Sequence, residues 1–168
     1  MTEDELRAFV GRSTRRVTVT VERSAVANFA DAVHDPDPVY RDGRAAAAAG
    51  LAAIPVPPTF PFAMAHWGAF PELQTQGGDG PDAANALAEL IGTLLAGGGL
   101  LLHGEQELRY HRPVLVGDVL RGEGRIVDVY VKQSQERAMT FVVDETVWRD
   151  DVTGAPVVTS RTNVIHRA

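Results

Sequence analysis

The segment most able to do chemistry is Asp35-Pro36-Asp37-Pro38-Val39-Tyr40, which carries two carboxylates and a phenol. Its prolines exclude a continuing helix and bias the residue before each of them, an aspartate in both cases, toward extended backbone. Each carboxylate is therefore expected on a stiff loop. The same pattern is also typical of a turn in which Asp35 and Asp37 only accept hydrogen bonds from backbone N–H groups. Composition alone leaves both interpretations open.

Two of the five histidines lie on one predicted strand, His103 and His111. They share a face of that strand unless a bulge intervenes. Their separation of about 26 Å, at about 3.3 Å per residue, forbids shared metal ligation, and we predict no metal site. His103 could act as an acid or base; the alternative is a structural or substrate-contacting role.

The sequence lacks the residues that several other classes of enzyme need. The chain has no cysteine, which excludes thiolate catalysis, a disulfide framework and cysteine-based zinc sites. No serine stands in a nucleophile-elbow pattern, and Gly97-Gly98-Gly99 lacks the lysine of a phosphate-binding loop. We expect no cofactor.

Length and charge indicate the number of domains and the kinds of partner that the chain can have. The 168 residues fit one domain, 1–168. With 22 acidic against 16 basic residues and a net charge of -6, nucleic acid is an improbable partner. The apolar stretches are shorter than the roughly 20 residues of a membrane span, and residues 1–5 are acidic, unlike a secretory leader. We therefore expect a cytoplasmic protein that spans no membrane.

The first half of the chain reads mainly as helices. Residues 16–22 alternate valine with polar residues, which predicts a strand. Helices are expected at about 24–33, with Ser24 as N-cap, and at 44–49, closed by Gly50. The run from Phe60 to Phe70 is almost wholly apolar, which indicates a central helix buried on all sides.

The last third reads as strands, at about 100–111, 119–132, 138–149 and 156–167. Short turns between them predict an antiparallel meander of hairpins, at 113–118, 133–137 and 150–156. A further apolar stripe predicts a helix over about 84–95. Helices followed by strands indicate an α+β protein, in which a curved antiparallel sheet wraps around the central apolar helix.

The loop motif resembles that of the MaoC-like (R)-specific enoyl-thioester hydratases, in which Asp-x-Asn-Pro-x-His is followed by a small-residue helix and a glycine. By this resemblance Asp35 stands at the position of the catalytic Asp and Asp37 at the position of the Asn. Tyr40 stands where the family has its His. A phenol with a reference pKa of about 10 is a poor base compared with an imidazole at about 6.5.

Two further blocks are similar to the N-terminal dehydratase half of this group. They are Pro57-Pro58-Thr59-Phe60-Pro61-Phe62 and the run from Leu102 to Pro113, followed by Val116-Gly117-Asp118. The resemblance covers about 5–70 and 100–167 and implies the hot-dog fold, with 71–99 as a helical insertion. It implies substrate contacts at Asp37, Pro58, Thr59, Phe60 and Gly104. In this half the catalytic Asp/His pair is often completed by a partner.

The resemblance implies a hydratase or dehydratase subunit acting on 2-enoyl or 3-hydroxyacyl thioesters of coenzyme A or acyl carrier protein. Its candidate catalytic residues are Asp35, Tyr40 and His103, and it is expected as a homodimer or as a heterodimer with a MaoC-domain subunit. Two alternatives stay open. One is a non-catalytic acyl-binding subunit, and the other is a hot-dog acyl thioesterase.

Overall fold

The computed structural model describes residues 1–74, 85–133 and 138–168. The helices are α1 (Glu3–Arg7), α2 (Arg23–Ala32), α3 (Gly43–Ala48), α4 (Phe60–Gly68) and α5 (Ala86–Ala96). The strands are β1 (Ser13–Thr20), β2 (Leu100–Tyr110), β3 (Val119–Gln133), β4 (Ala138–Asp150) and β5 (Pro156–Arg167). The predicted α+β class and all five predicted strands are confirmed. Within the described ranges, no helix has the length and apolar character needed to cross a membrane.

The five strands form one antiparallel sheet in the order β1-β3-β4-β5-β2. Strands β3, β4 and β5 make the predicted meander, but β2 pairs with β5 at the far edge. The expected hairpin between β2 and β3 is therefore wrong, because the chain crosses from one side of the sheet to the other there. The predicted turn at 133–137 lies almost wholly outside the described residues.

The crossing segment is held by the proline-rich connection before α4. Val56 N–H donates to the Val114 carbonyl at 3.0 Å, and Val116 N–H donates to Ile54 at 2.8 Å. Arg112 then donates to Asp118 at 2.7 Å and to Asp150 at 3.0 Å. These bonds tie the start of β3 to the end of β4. Arg112 and Asp118 of the second sequence block therefore have a structural role.

Helix α4 packs across the sheet with one face. Phe60 and Met64 are each 1% exposed and lie among core residues that include Val19 and Leu120. Phe62 and Trp67, by contrast, are 52% and 45% exposed. The expectation of a helix buried on all sides is wrong, since Phe62, His66 and Trp67 of α4 are exposed.

Two helix ends can be compared with the sequence. Helix α2 begins at Arg23 after Glu22, which makes no side-chain capping bond, so the assignment of Ser24 as N-cap is wrong. Helix α3 is followed by Gly50 in the left-handed region at φ 79°. That agrees with the predicted role of this glycine in closing the helix.

The contact between α4 and β1 requires a glycine at the end of the helix. A Cβ on Gly68 would collide with the backbone carbonyl of Thr20, whereas a Cβ on Gly92 in α5 would meet no atom within 4 Å. We expect Gly68→Ala to lower the free energy of unfolding by about 1–3 kcal/mol, as overpacking does. Gly92→Ala is the matched control and should raise it by roughly 0.5–1 kcal/mol through helix propensity. Urea denaturation measures both, and equal effects would contradict the packing described.

Candidate active site

The end of helix α2 sets the position of Asp35. His34 N–H donates to Asp31 at 3.1 Å and Asp35 N–H donates to Ala30 at 2.9 Å, the two bonds of a Schellman motif. The residue between the helix and Asp35 must then be left-handed, and His34 has φ 56°. Glycine is usual at this position, but histidine is among the residues that enter this region more readily than most. The hydrogen bonds at the end of helix α2 therefore fix the position of the Asp35 backbone.

Both aspartates of the motif bind the loop backbone. Asp35 Oδ1 accepts the Asp37 N–H at 3.0 Å, and Asp37 Oδ1 accepts the Val39 N–H at 2.9 Å. The second bond caps a 3₁₀ turn over Pro38–Tyr40, with Asp37 extended at φ -59°, ψ 122° as a residue before proline should be. Each carboxylate thus accepts one backbone hydrogen bond, as the turn-stabilising interpretation predicts, and a further role for Asp35 stays open. Among the described hydrogen bonds, none uses Asp35 Oδ2.

Arg41 holds the loop from inside, a role that the sequence analysis missed. Its guanidinium donates to the carbonyls of Asp35 at 2.9 Å and Asp37 at 3.3 Å, and it forms an ion pair with Asp31. The position of Arg41 directly after the motif could have indicated this role, because a guanidinium can donate several hydrogen bonds at once. The loop is therefore rigid before any substrate binds.

Tyr40 and Tyr110 meet at this loop. Tyr40 is half-buried against the core, and its pKa is raised by burial first and then by the carboxylates of Asp35 and Asp37. Burial, with a further contribution from Tyr40, raises the pKa of Tyr110 to about 12. The Tyr110 hydroxyl donates to the Pro58 carbonyl at 2.8 Å, just before α4. Both phenols therefore stay protonated at neutral pH and act as donors rather than bases.

Tyr110 was quoted within the second sequence block but not recognised as a site residue. Only the alternation of β2 could have pointed to it, because Tyr110 shares its face with Leu108, which packs against the core.

His103 lies apart from this cluster. Its ring packs edge-on against Phe62 at 5.1 Å between centroids. His103 and Tyr110 are seven residues apart on β2, which separates their Cα atoms by roughly 23 Å. The structure brings together Asp35, Asp37, Tyr40, Tyr110 and Pro58, and it leaves His103 further along the strand.

A bulge also separates His103 on β2 from His111, which directly follows that strand. The pairing of β2 with β5 shifts between His103 and Glu105, and a Cβ on Gly104 would press on Ile165 at 2.7 Å. His111 bonds Thr159 at 3.0 Å, on the face opposite to the one that α4 covers. Because this bulge intervenes, His103 and His111 do not share a face, which is the exception that the sequence analysis named. Gly104 itself is a site of close backbone packing.

Of the remaining residues predicted to contact the substrate, some lie on the surface and one lies in the core. Pro58 and Thr59 are exposed, whereas Phe60 is 1% exposed, with its ring 5.4 Å from that of Phe29 and 5.9 Å from that of Trp67. Phe60 can thus act on a substrate only by positioning the first turn of α4. Within the described residues, no group of three or more histidines or carboxylates could hold a metal ion.

Tyr110→Phe should lower the free energy of unfolding by about 1 kcal/mol, because it removes the donor to Pro58. It should also abolish the tyrosinate signal that appears at about pH 12. Because the folded-state pKa is raised, this stabilisation is complete below the unfolded pKa of about 10 and is lost as the pH rises toward 12. Tyr130→Phe, on β3, is the control. Equal stability of the Tyr110→Phe variant and wild type at pH 8 would contradict this contact.

The geometry can be compared with known proteins. Residues 8–160 match the family model of the FAS1-like dehydratase domain region. A UPF0336 protein of Streptomyces avermitilis is 33% identical over 162 residues, covering 96% of this chain and 94% of the relative.

Solved structures share the fold at lower identity. A chain from the ChsH1-ChsH2 complex of Mycobacterium tuberculosis superposes with a TM-score of 0.72 at 23% identity, over 96% of this chain and 86% of the other. A chain from the HadBC (3R-hydroxyacyl-ACP dehydratase) complex of the same organism gives 0.63 at 21% identity, over 92% and 96%. The predicted hot-dog fold is confirmed, and the chain belongs to the family of FAS1-like dehydratase domain regions.

Proposed function

We propose that this chain is a subunit of a hydratase or dehydratase that acts on 2-enoyl or 3-hydroxyacyl thioesters of coenzyme A or acyl carrier protein. It binds and orients the thioester, and a second MaoC-domain subunit supplies the histidine base. The observation that carries the proposal is Tyr40, a phenol with a raised pKa at the motif position of the histidine, beside Asp35.

The chemistry assigns a separate task to each group. Hydration adds the oxygen of water to C3 and a proton to C2, while negative charge develops on the thioester carbonyl oxygen. Asp35 Oδ2 can accept a hydrogen bond from the water and orient it. Tyr40 can donate its hydroxyl hydrogen to the carbonyl oxygen, whereas the hydroxyl hydrogen of Tyr110 is already donated to Pro58. A group that takes the proton from water near neutral pH is still required, and imidazole has the suitable pKa.

A non-catalytic acyl-binding subunit is the second candidate. It is favoured by the engagement of Asp35 Oδ1 in the loop, since this carboxylate already has a structural task. In that case the partner carries both catalytic groups, and this chain only shapes the substrate channel.

Asp35→Asn separates the two candidates. In a complex of this chain with a MaoC-domain subunit, we expect the variant to lower kcat for crotonyl-CoA hydration by about 100-fold or more, because the charge that orients water is lost. Asp42→Asn, which alters the N-cap of α3 outside the cluster, is the control. An Asp35→Asn complex with the wild-type rate would overturn the catalytic role and leave acyl binding.

The partner is proposed to bind the edge formed by β2. Leu100, Leu101 and Leu102 are 47%, 38% and 38% exposed, and among the described residues strand β2 is paired on one side only. Exposed unpaired strands of this kind favour pairing with another chain. The opposite edge, β1, has an irregular register between Ser13 and Arg16, which blunts it. Two similar structures are chains of two-subunit complexes, which supports a homodimer or a heterodimer.

Leu101→Lys should weaken association at least tenfold, because it places a charge on the apolar edge. Val152→Lys is the matched control, since Val152 is 93% exposed in the turn after β4 and should leave association unchanged. Light scattering of the chain alone and with a MaoC-domain subunit measures both variants. A wild-type chain that remains an 18.1 kDa monomer in both samples would contradict the proposal.

A further inference from the structure

The face of the sheet that α4 covers is not uniformly apolar. Its core divides into two clusters, one around Val19 and Leu120 and one around Leu90 and Ile126. A row of polar side chains crosses the sheet between them, and we call it the polar belt. It consists of Thr14 on β1, Asp144 and Thr146 on β4, Ser160 and Thr162 on β5, and Gln106 on β2.

Strand β3 contributes a glycine to this row. Gly124 pairs with Thr146, and a Cβ on it would collide with Thr14 Oγ1 and come within 3.1 Å of Thr146 Oγ1. Gly124 therefore leaves room for Thr14 Oγ1 and Thr146 Oγ1, which occupy the space that a side chain at this position would fill. Polar groups inside a fold are destabilising unless they are hydrogen-bonded, so the partners of each belt residue decide whether the belt can also bind a ligand.

The polar belt forms one wall of a cavity of about 300 Å³. Thr14, Asp144, Thr146, Ser160 and Thr162 line this wall, and Pro61, Phe62 and Ala65 of α4 line the opposite one. Arg15 and Asn85 are exposed and also line the cavity, so it communicates with solvent. The cavity is therefore accessible, with one polar and one apolar wall.

Among the described residues, the hydrogen bonds within the belt leave one hydroxyl donor and several acceptor lone pairs unused. Thr14 donates to Asp144 Oδ1 at 2.7 Å, and burial raises the pKa of the Asp144 carboxyl, opposed by its bonds to Thr14 and Thr146. Ser160 Oγ accepts from Gln106 at 2.8 Å, and Thr162 donates to Gln106 at 2.9 Å. Within the described residues the Ser160 hydroxyl hydrogen has no acceptor, and each Asp144 oxygen has a further lone pair. An alcohol, which both donates and accepts, fits this pair.

The cavity begins close to the proposed reaction site. Pro61 follows Pro58, the residue bonded to Tyr110, by three positions, less than one helical turn of about 5.4 Å. Gln106 lies four residues before Tyr110 on β2, or roughly 13 Å along the strand. An acyl chain of medium length would cover the distance from the reaction cluster to the polar belt.

We propose that this cavity binds a hydroxyl group carried by the acyl chain of the substrate, which donates to Asp144 and accepts from Ser160. The inference rests on the proposed action on acyl thioesters and names its substrate class, which is a thioester of a hydroxylated acyl chain. An unsubstituted chain would add no acceptor for the Ser160 hydroxyl hydrogen and no further donor to Asp144.

Direct binding tests the proposal without any need for turnover. Isothermal titration of the full chain would use coenzyme A thioesters of octanoic, decanoic and dodecanoic acid, each beside its terminally hydroxylated form. We expect the hydroxylated thioester to bind about tenfold tighter at one or more lengths, the effect of one or two net hydrogen bonds. Equal affinities at all three lengths, or tighter binding of the unsubstituted chains, would overturn the proposal.

Substitutions test which residues cause the preference for the hydroxylated thioester. Ser160→Ala and Asp144→Asn should each bring the affinity ratio near one, while Glu145→Gln, on the opposite face of β4, should retain it. If Asp144→Asn does not fold, Ser160→Ala decides alone, and a folded Ser160→Ala variant with an unchanged ratio would overturn the assignment. Terminally aminated chains form a further arm, and tighter binding of the amine than of the alcohol would overturn the hydroxyl assignment in favour of a cationic ligand.

The free acids distinguish failure of this inference from failure of the proposed function. A preference for the hydroxylated free acid, without binding of any thioester, would support the cavity assignment and contradict the thioester function. Binding of thioesters without discrimination would leave the function standing and overturn the cavity assignment. Absence of binding by both acids and thioesters would overturn both.

Discussion

The candidate site depends on how helix α2 ends. The Schellman bonds to Ala30 and Asp31 force a left-handed residue before Asp35, and the two prolines that follow restrict the chain further. Arg41 closes the loop by binding two of its carbonyls. A loop held at three points cannot adapt its carboxylate to a substrate, so the substrate and any partner must fit the position at which Asp35 is presented.

The same rigidity explains why one carboxylate can have a structural and a chemical task. A carboxylate has two oxygens and about four lone-pair sites. Asp35 uses Oδ1 for the Asp37 N–H and keeps Oδ2 for an external donor. Tyr40 then lies between this charge and the core, where its protonated state is favoured. The arrangement orients donors and acceptors, but it lacks a group that titrates near neutral pH at the motif position of the histidine.

Much of the fold could be predicted from the sequence because alternation and turn residues are local signals. These signals placed β2 to β5 within one or two residues. The glycine after α3 and the apolar run of α4 were also predictable from the local sequence. The edge position of β2 was not, because alternation tells which face a residue occupies and not which strand lies beside it. The exposure of Phe62 and Trp67 on α4 also escaped prediction, since both residues are apolar.

The residues of the candidate site that are close together in the sequence could be predicted, and those that come from distant strands could not. Asp35, Asp37 and Tyr40 follow one another in a recognisable motif, whereas Tyr110 reaches them from the far end of β2. The bulge at Gly104 reversed the expected relation between His103 and His111, and only backbone pairing shows it. The polar belt was equally hidden, because its members come from four strands and each alone reads as an ordinary strand residue.

The central claim is that, of the catalytic Asp and His of the motif, the chain lacks only the histidine. The most direct measurement is the rate of crotonyl-CoA hydration by the isolated chain, for wild type and for Tyr40→His, with Tyr130→His as a control for an added histidine elsewhere. The account predicts a wild-type rate near the uncatalysed one and a Tyr40→His rate about 100-fold higher, the lower end of what general acid–base catalysis contributes. Rapid turnover by the isolated wild-type chain, or a folded Tyr40→His variant with no gain, would contradict it.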